Sequence, residues 1–373
     1  MKRILIKNGI LVNEDQQYAA DILVEGTYIA KIGTDLSHPH AEVIDAQGGF
    51  VFPGVIDDQV HFREPGLTHK GCIASESRAA VAGGTTSFME QPNTNPQTVT
   101  LEALEQKMAM GAASSVANYS FLLGGTNDNL EEIKRLDPRA TSGIKLFLGS
   151  STGNMLVDDP QVIEKIFRAT PLVISAHCED EATIRAQMAW AQETYGDQIT
   201  PELHPVIRNA EACFLSSSRA IALARATGAR LHVFHLSTGI EMDLLAPGPL
   251  KGKQITAEVC IHHLWFSDED YATKGNLIKW NPAVKSSADR DALWAGLLED
   301  RIDVIATDHA PHTWEEKNKP YPDTPSGMPG VQTLLPIMLD HVNKGNLSLF
   351  KLCQLISTNP AKLYKVINKG EIK

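Results

Sequence analysis

Cysteine is scarce and scattered in this sequence. Cys72, Cys178, Cys213, Cys260 and Cys353 are odd in number, widely spaced and contain no Cys-x-x-Cys pair. That excludes a disulfide framework and a zinc knuckle. Basic charge is in deficit: 34 Lys and Arg face 45 Asp and Glu, a net charge of −11. No basic stripe is present, so a nucleic-acid partner is not expected. No apolar run approaches the roughly 20 residues of a membrane-spanning helix. Met1-Lys2-Arg3-Ile4-Leu5-Ile6 opens like a signal peptide, but Lys7 and Asn8 interrupt it and no small-residue cleavage site follows. It reads as a mature, cytoplasmic start. Repeats of about 20–50 residues and low-complexity tracts are missing too, and Gly83-Gly84 lies in no phosphate-binding motif.

What is present has ordinary globular proportions, with 43% hydrophobic and 21% charged residues. The 373 residues suit one large α/β barrel of about 250 residues with a small extra domain. The first fifty residues alternate and turn often. Ile4–Ile6, Ile10–Val12, Asp21–Val24 and Tyr28–Ile32 read as short strands of a small β domain.

From Val55 onward, apolar runs alternate with helix-length segments. The strand candidates are Val55–Val60, Thr85–Met89, Val116–Leu122, Gly143–Leu148, Leu172–Ala176, Arg230–Phe234, Gln254–Val259 and Asp303–Ala306. Ser75–Ala82, Leu101–Gly111, Glu131–Leu136, Pro160–Ala169, Ala210–Thr227 and Ser287–Leu298 read as helices between them. Near-continuous Val/Ile/Leu strands fit a parallel sheet buried on both faces, and eight of them with helices between fit a (β/α)8 barrel. The expected division is a small β domain over 1–52, joined by 363–373, and a barrel over 53–362.

Chemistry in such a barrel sits at the C-terminal strand ends. His61 and Arg63 follow the first strand, Asn93 the second, His177 the fifth and His235 the sixth. Asp308, His309 and His312 follow the eighth, and Lys145 lies within the fourth. His61, His177, His235 and Asp308 form a zinc-type donor set. Any one strand-end histidine is more often a packing residue; four at one rim favour ligation. A buried Lys145 either snorkels to the rim or, beside metal ions, carries a bridging carbamate. Two metals sharing a hydroxide would supply a nucleophile at neutral pH, and Asp308 could take its proton. That points to hydrolysis of an amide-like bond. Arg63 either pairs with Glu64 at the surface or offers its planar fork to a substrate carboxylate.

The segments carrying these residues resemble one family. Val55-Ile56-Asp57-Asp58-Gln59-Val60-His61-Phe62-Arg63-Glu64-Pro65-Gly66 is similar to the first-strand signature of the dihydroorotases, in the amidohydrolase superfamily. Gln91-Pro92-Asn93-Thr94-Asn95-Pro96, Gly143-Ile144-Lys145-Leu146-Phe147, Val233-Phe234-His235-Leu236-Ser237-Thr238, Ala306-Thr307-Asp308-His309-Ala310-Pro311-His312 and Asn359-Pro360-Ala361 follow in order. The resemblance implies a barrel with a small β-sandwich and a binuclear zinc centre. The implied reaction is reversible hydrolysis of dihydroorotate to N-carbamoyl-aspartate in pyrimidine synthesis. It assigns His61, His177, His235 and Asp308 as metal ligands, Lys145 as the carboxylated bridge and Asp308 as proton shuttle. It assigns Arg63, Asn93, Asn281 and His312 to the substrate. A homodimer is implied, with aspartate carbamoyltransferase as a candidate partner.

The sequence also departs from the family. Gln59 stands where the first imidazole of a His-x-His pair is usual, which leaves one or two zinc ions per chain. Cys72 and Gln332 replace usual acids. Family members continue with further strands where this sequence stops at Lys373, so the sandwich is expected to lack C-terminal strands. Two alternatives remain: a hydantoinase- or allantoinase-type enzyme, and an impaired dihydroorotase-like scaffold subunit.

Overall fold

The computed structural model describes residues 1–149 and 155–373. It divides into two compact units, Met1–Ile56 with Met338–Lys373, and Asp57–Ile337.

In the first unit, strands β1 (Arg3–Val12), β2 (Gln17–Glu25), β3 (Tyr28–Gly33), β4 (Glu42–Asp45) and β5 (Phe50–Val51) form one five-stranded sheet. β1 and β2 pair antiparallel, whereas β4 and β5 run parallel to β1. The sequence suggests two short strands before Val12, divided at Lys7-Asn8. The structure has one ten-residue strand with a register shift between Ile6 and Gly9, and Asn8 there takes a φ of 56°. A bulge absorbs the polar interruption without ending the strand. Leu11, Ala20 and Ile22 pack with Ile372. Asn13 ties that last segment down, donating from Nδ2 to the Ile372 carbonyl at 3.0 Å and accepting its N–H at 2.9 Å.

The second unit is built on parallel strands: β6 (Val55–Val60), β7 (Thr85–Glu90), β8 (Asn118–Phe121), β9 (Leu123–Gly124), β10 (Ile144–Phe147), β11 (Val173–His177), β12 (Arg230–Val233), β13 (Ile255–Cys260) and β14 (Val304–Ala306). β6 to β8 pair in order, and so do β9 to β14. β8 and β9 are one apolar run bent at Leu122. The Leu122 N–H bonds back to Glu90 at 3.1 Å, and the Leu123 N–H bonds forward to Gly143 at 3.1 Å. The ring closes where His61 N–H donates to the His309 carbonyl at 2.6 Å, beside a parallel bridge between Val60 and His309. Eight staves therefore form a (β/α)8 barrel.

Helices follow the strands as the crossover rule requires. After β11, where Glu179-Asp180 reads as a helix start, the structure has the helix Glu181–Tyr195. Its face buries only Ile184 and Ala191, so its apolar stripe is too thin to read. Asp180 caps it, accepting the Thr183 N–H at 3.0 Å.

Candidate active site

Three of the residues singled out at strand ends have left-handed backbone: Arg63 at φ 71°, His235 at φ 39° and Asp308 at φ 46°. L-residues rarely take this conformation, and it persists only where surrounding bonds enforce it. The His235 N–H is held by Glu258 Oε1 at 3.2 Å. After Asp308, the chain is pinned by the His309 N–H on Thr307 Oγ1 at 3.0 Å, and that hydroxyl donates to Asp57 Oδ2 at 2.6 Å. These ties stop each strand abruptly and turn the side chains onto the rim.

The rim side chains meet in one cavity of about 780 Å³, within the range of small-molecule sites. All ten sequence-expected residues line it: Gln59, His61, Arg63, Asn93, Lys145, His177, His235, Asn281, Asp308 and His312.

His177 Nδ1 lies 3.0 Å from His235 Nε2, while His177 Nε2 meets Glu179 Oε2 at 2.8 Å. Burial would raise the Glu179 pKa, but the Arg208 guanidinium and His177 hold it well below the usual carboxylate range. Burial lowers the pKa of His177 and, well below normal, that of His235. A neutral His177 donating to Glu179 leaves its Nδ1 lone pair aimed at His235. On the opposite side, His61 Nε2 is 3.0 Å from Asp308 Oδ1, and His61 Nδ1 is 2.8 Å from Asn93 Oδ1. Burial also lowers the His61 pKa, against the opposing pull of Asp308. When its Nδ1–H donates to Asn93, its Nε2 lone pair faces a carboxylate oxygen.

Donor atoms around one tetrahedral zinc at 2.0–2.2 Å lie about 3.4 Å apart. Two pairs of potential ligand atoms approach at 3.0 Å, and among the described residues the buried His235 Nδ1 has no hydrogen-bond partner. Lys145 is 1% exposed, and its Nζ lies over the rings of Phe234 at 3.9 Å and Phe147 at 4.9 Å. Burial pulls its pKa down to about 8, so the neutral amine is accessible. The donor set fits. Gln59 is 1% exposed and lines the same cavity; its Oε1 accepts the weak Cys260 thiol donor at 3.8 Å.

Two other clusters among the described residues carry ligand chemistry. In the first, Cys260 with His262 and His263, His262 stacks on Trp280 at 4.3 Å and His263 Nε2 bonds to the Pro282 carbonyl at 3.1 Å. Neither histidine lines the cavity. In the second, His232 Nε2 lies 3.3 Å from Asp58 and 3.4 Å from Glu258. β6 and β12 are not neighbours, so these groups meet across the barrel interior. Burial opposes a charge on His232, yet the two carboxylates raise its pKa to about 9. An imidazolium between two acids accounts for this cluster.

At the cavity's other end, Arg63 is 8% exposed. Its Nε donates to the Pro311 carbonyl at 3.0 Å, and its Nη2 lies 3.0 Å from His312 Nε2. No carboxylate among the described residues pairs with it, so the surface pairing with Glu64 does not form; Glu64 instead accepts the Ile73 N–H at 2.9 Å. Ser326 closes this end, donating to Asn281 Oδ1 at 3.1 Å. Gly327 lets the chain pass: its φ is 126°, and a Cβ there would lie 2.6 Å from the Ala310 carbonyl oxygen.

Sequence reasoning missed Glu179, Arg208 and Lys70. Asp180 caps the helix, and Glu179 beside it is fully buried against His177. Its position two residues past a rim histidine was the available signal.

Fold and site together define a barrel hydrolase of the metal-dependent amide-cleaving class. The chain belongs to the amidohydrolase family, which it matches over residues 50–373. It is 36% identical over 358 residues to the dihydroorotase of Halobacterium salinarum, covering 94% of this chain and 81% of that one. It is 32% identical to the allantoinase of Deinococcus radiodurans, covering 99% of this chain and 84% of that one. The L-hydantoinase (dihydropyrimidinase) structure from Arthrobacter aurescens superposes with a TM-score of 0.93 at 30% identity, covering 100% of this chain and 85% of that one.

Proposed function

We propose that this chain is a zinc-dependent dihydroorotase. It interconverts (S)-dihydroorotate and N-carbamoyl-L-aspartate in pyrimidine synthesis. The observation that carries the substrate is Arg63, a buried guanidinium on the cavity wall with no carboxylate partner among the described residues. A buried cation needs an anion, and a ring carboxylate presents the matching planar fork. Relatives named dihydroorotase support the same reading.

His61, His177, His235, Asp308 and Lys145 would hold the metal, with Lys145 carboxylated by attack of its neutral amine on carbon dioxide and loss of one proton. Gln59 is a sixth, weaker donor, since an amide oxygen is a poorer zinc ligand than imidazole. When bound, zinc polarises the ring carbonyl and lowers the pKa of water. Asp308 takes the proton of the attacking water and passes it to the leaving ring nitrogen. Arg63, Asn93, Asn281 and His312 hold the substrate against that carboxylate. The reading carries with it a cytoplasmic homodimer and aspartate carbamoyltransferase as partner, which sedimentation and co-purification test.

The hydantoinase reading has the high structural similarity behind it but gives Arg63 no substrate carboxylate to pair with. Purified protein supplied with zinc and bicarbonate is assayed on dihydroorotate, hydantoin and allantoin. Preference for dihydroorotate by about a hundredfold in kcat/KM is expected. Faster hydrolysis of a carboxyl-free ring overturns the proposal. No turnover with one metal or none would make the chain a scaffold.

A further inference from the structure

His312 has more neighbours than one neutral ring can satisfy, and the surplus assigns a role to Lys70. Lys70 lines the cavity, its side chain 15% exposed. Its Nζ lies 3.2 Å from His312 Nδ1 and 3.1 Å from Glu316 Oε1. His312 Nε2 lies 2.9 Å from the Ser326 carbonyl and 3.0 Å from Arg63 Nη2. Glu316 Oε2 is 3.5 Å from His312 Nδ1. Burial and the adjacent Arg63 and Lys70 charges push the His312 pKa down to about 3, so the ring carries one proton.

An ammonium only donates. For Lys70 to bond Nδ1, that nitrogen must be bare, and the ring proton sits on Nε2. Nε2–H then donates to the Ser326 carbonyl, and Arg63 Nη2 stands beside it as a second donor with no acceptor between them. In the other tautomer, Nδ1–H turns to Glu316 and the bare Nε2 accepts from Arg63, removing one of the guanidinium's donors from the cavity.

We infer that Lys70 is a positioning residue that holds His312 as its Nε2–H tautomer, so that Arg63 and His312 present adjacent donors to one substrate carboxylate. In competing for the Nε2 proton, that carboxylate displaces the Ser326 carbonyl, coupling substrate binding to the segment Pro325–Gly327. The kinetic part rests on the dihydroorotase reading; the tautomer does not.

The test pairs ¹⁵N NMR of the histidine rings with steady-state kinetics on the zinc-loaded enzyme. ¹⁵N shifts separate protonated from bare ring nitrogens. The unsubstituted protein is expected to show His312 protonated at Nε2. Lys70→Met should move the proton to Nδ1 and raise KM for dihydroorotate about tenfold or more, with kcat within about twofold. Lys70→Arg keeps a donor and should keep both the tautomer and KM within about threefold. Lys70→Gln, neutral but with an amide donor, should fall between them and serves if Lys70→Met does not fold. His312 protonated at Nδ1 in the unsubstituted protein overturns the inference. So does a rise in KM in Lys70→Met with no change of tautomer, because Lys70 would then act by charge alone. A tautomer that switches in a protein that does not turn over dihydroorotate sustains the inference and sinks the substrate reading.

Discussion

The two sides of the rim are built to different standards. On the β11–β12 side, the group that orients His177 is itself fixed: His177 rests on Glu179, and Glu179 on Arg208. On the β6–β14 side, His61 rests on the neutral Asn93, and its neighbour on the strand is the amide of Gln59. A carboxylate behind a histidine fixes its tautomer and strengthens its lone pair as a donor. An amide behind it does so weakly. The contrast predicts a tight metal position on the β11–β12 side and a weaker, more exchangeable one on the other.

The harshest way to break the contrast is Asp308→Asn, which removes a ligand from the weaker side and the proton carrier together. A loss of about a thousandfold in kcat is expected, measured on protein with zinc and bicarbonate supplied. Next comes Glu179→Gln. It leaves His177 in place but removes its charged partner, and zinc affinity by competition with a chelator should fall about 10–100-fold. Asn93→Ala, its counterpart across the cavity, should cost less than Glu179→Gln in the same titration; an equal or larger loss would erase the distinction between the sides. The gentlest change sharpens it. Gln59→His should raise zinc retained on dialysis toward two per chain, with affinity on the weak side improved about tenfold. Unchanged metal content would mean that Gln59 faces no ion.

Much of this site was legible because a parallel barrel gathers its strand ends. Residues as distant as His61 and Asp308 needed only to be recognised as polar groups ending apolar runs, and the barrel placed them 3.0 Å apart. What was not legible is what lies behind the rim. Lys70 and His312 are 242 residues apart, and neither ends a run in a way that names the other. The bend at Leu122 was hidden for a related reason. Val116–Leu122 is one apolar stretch, and only pairing on both sides divides it. In the small domain, Lys7-Asn8 looked like a break because alternation cannot reveal a bulge.

The left-handed backbone at Arg63, His235 and Asp308 has a consequence for how this molecule can change. At each of these positions, glycine would relieve about 1–2 kcal/mol of conformational strain. A population of variants selected only for heat resistance would therefore drift toward glycine at the very places where the chemistry resides. Survivors would gain melting temperature as they lost turnover. At these three positions the demands of stability and of activity on the side chain diverge.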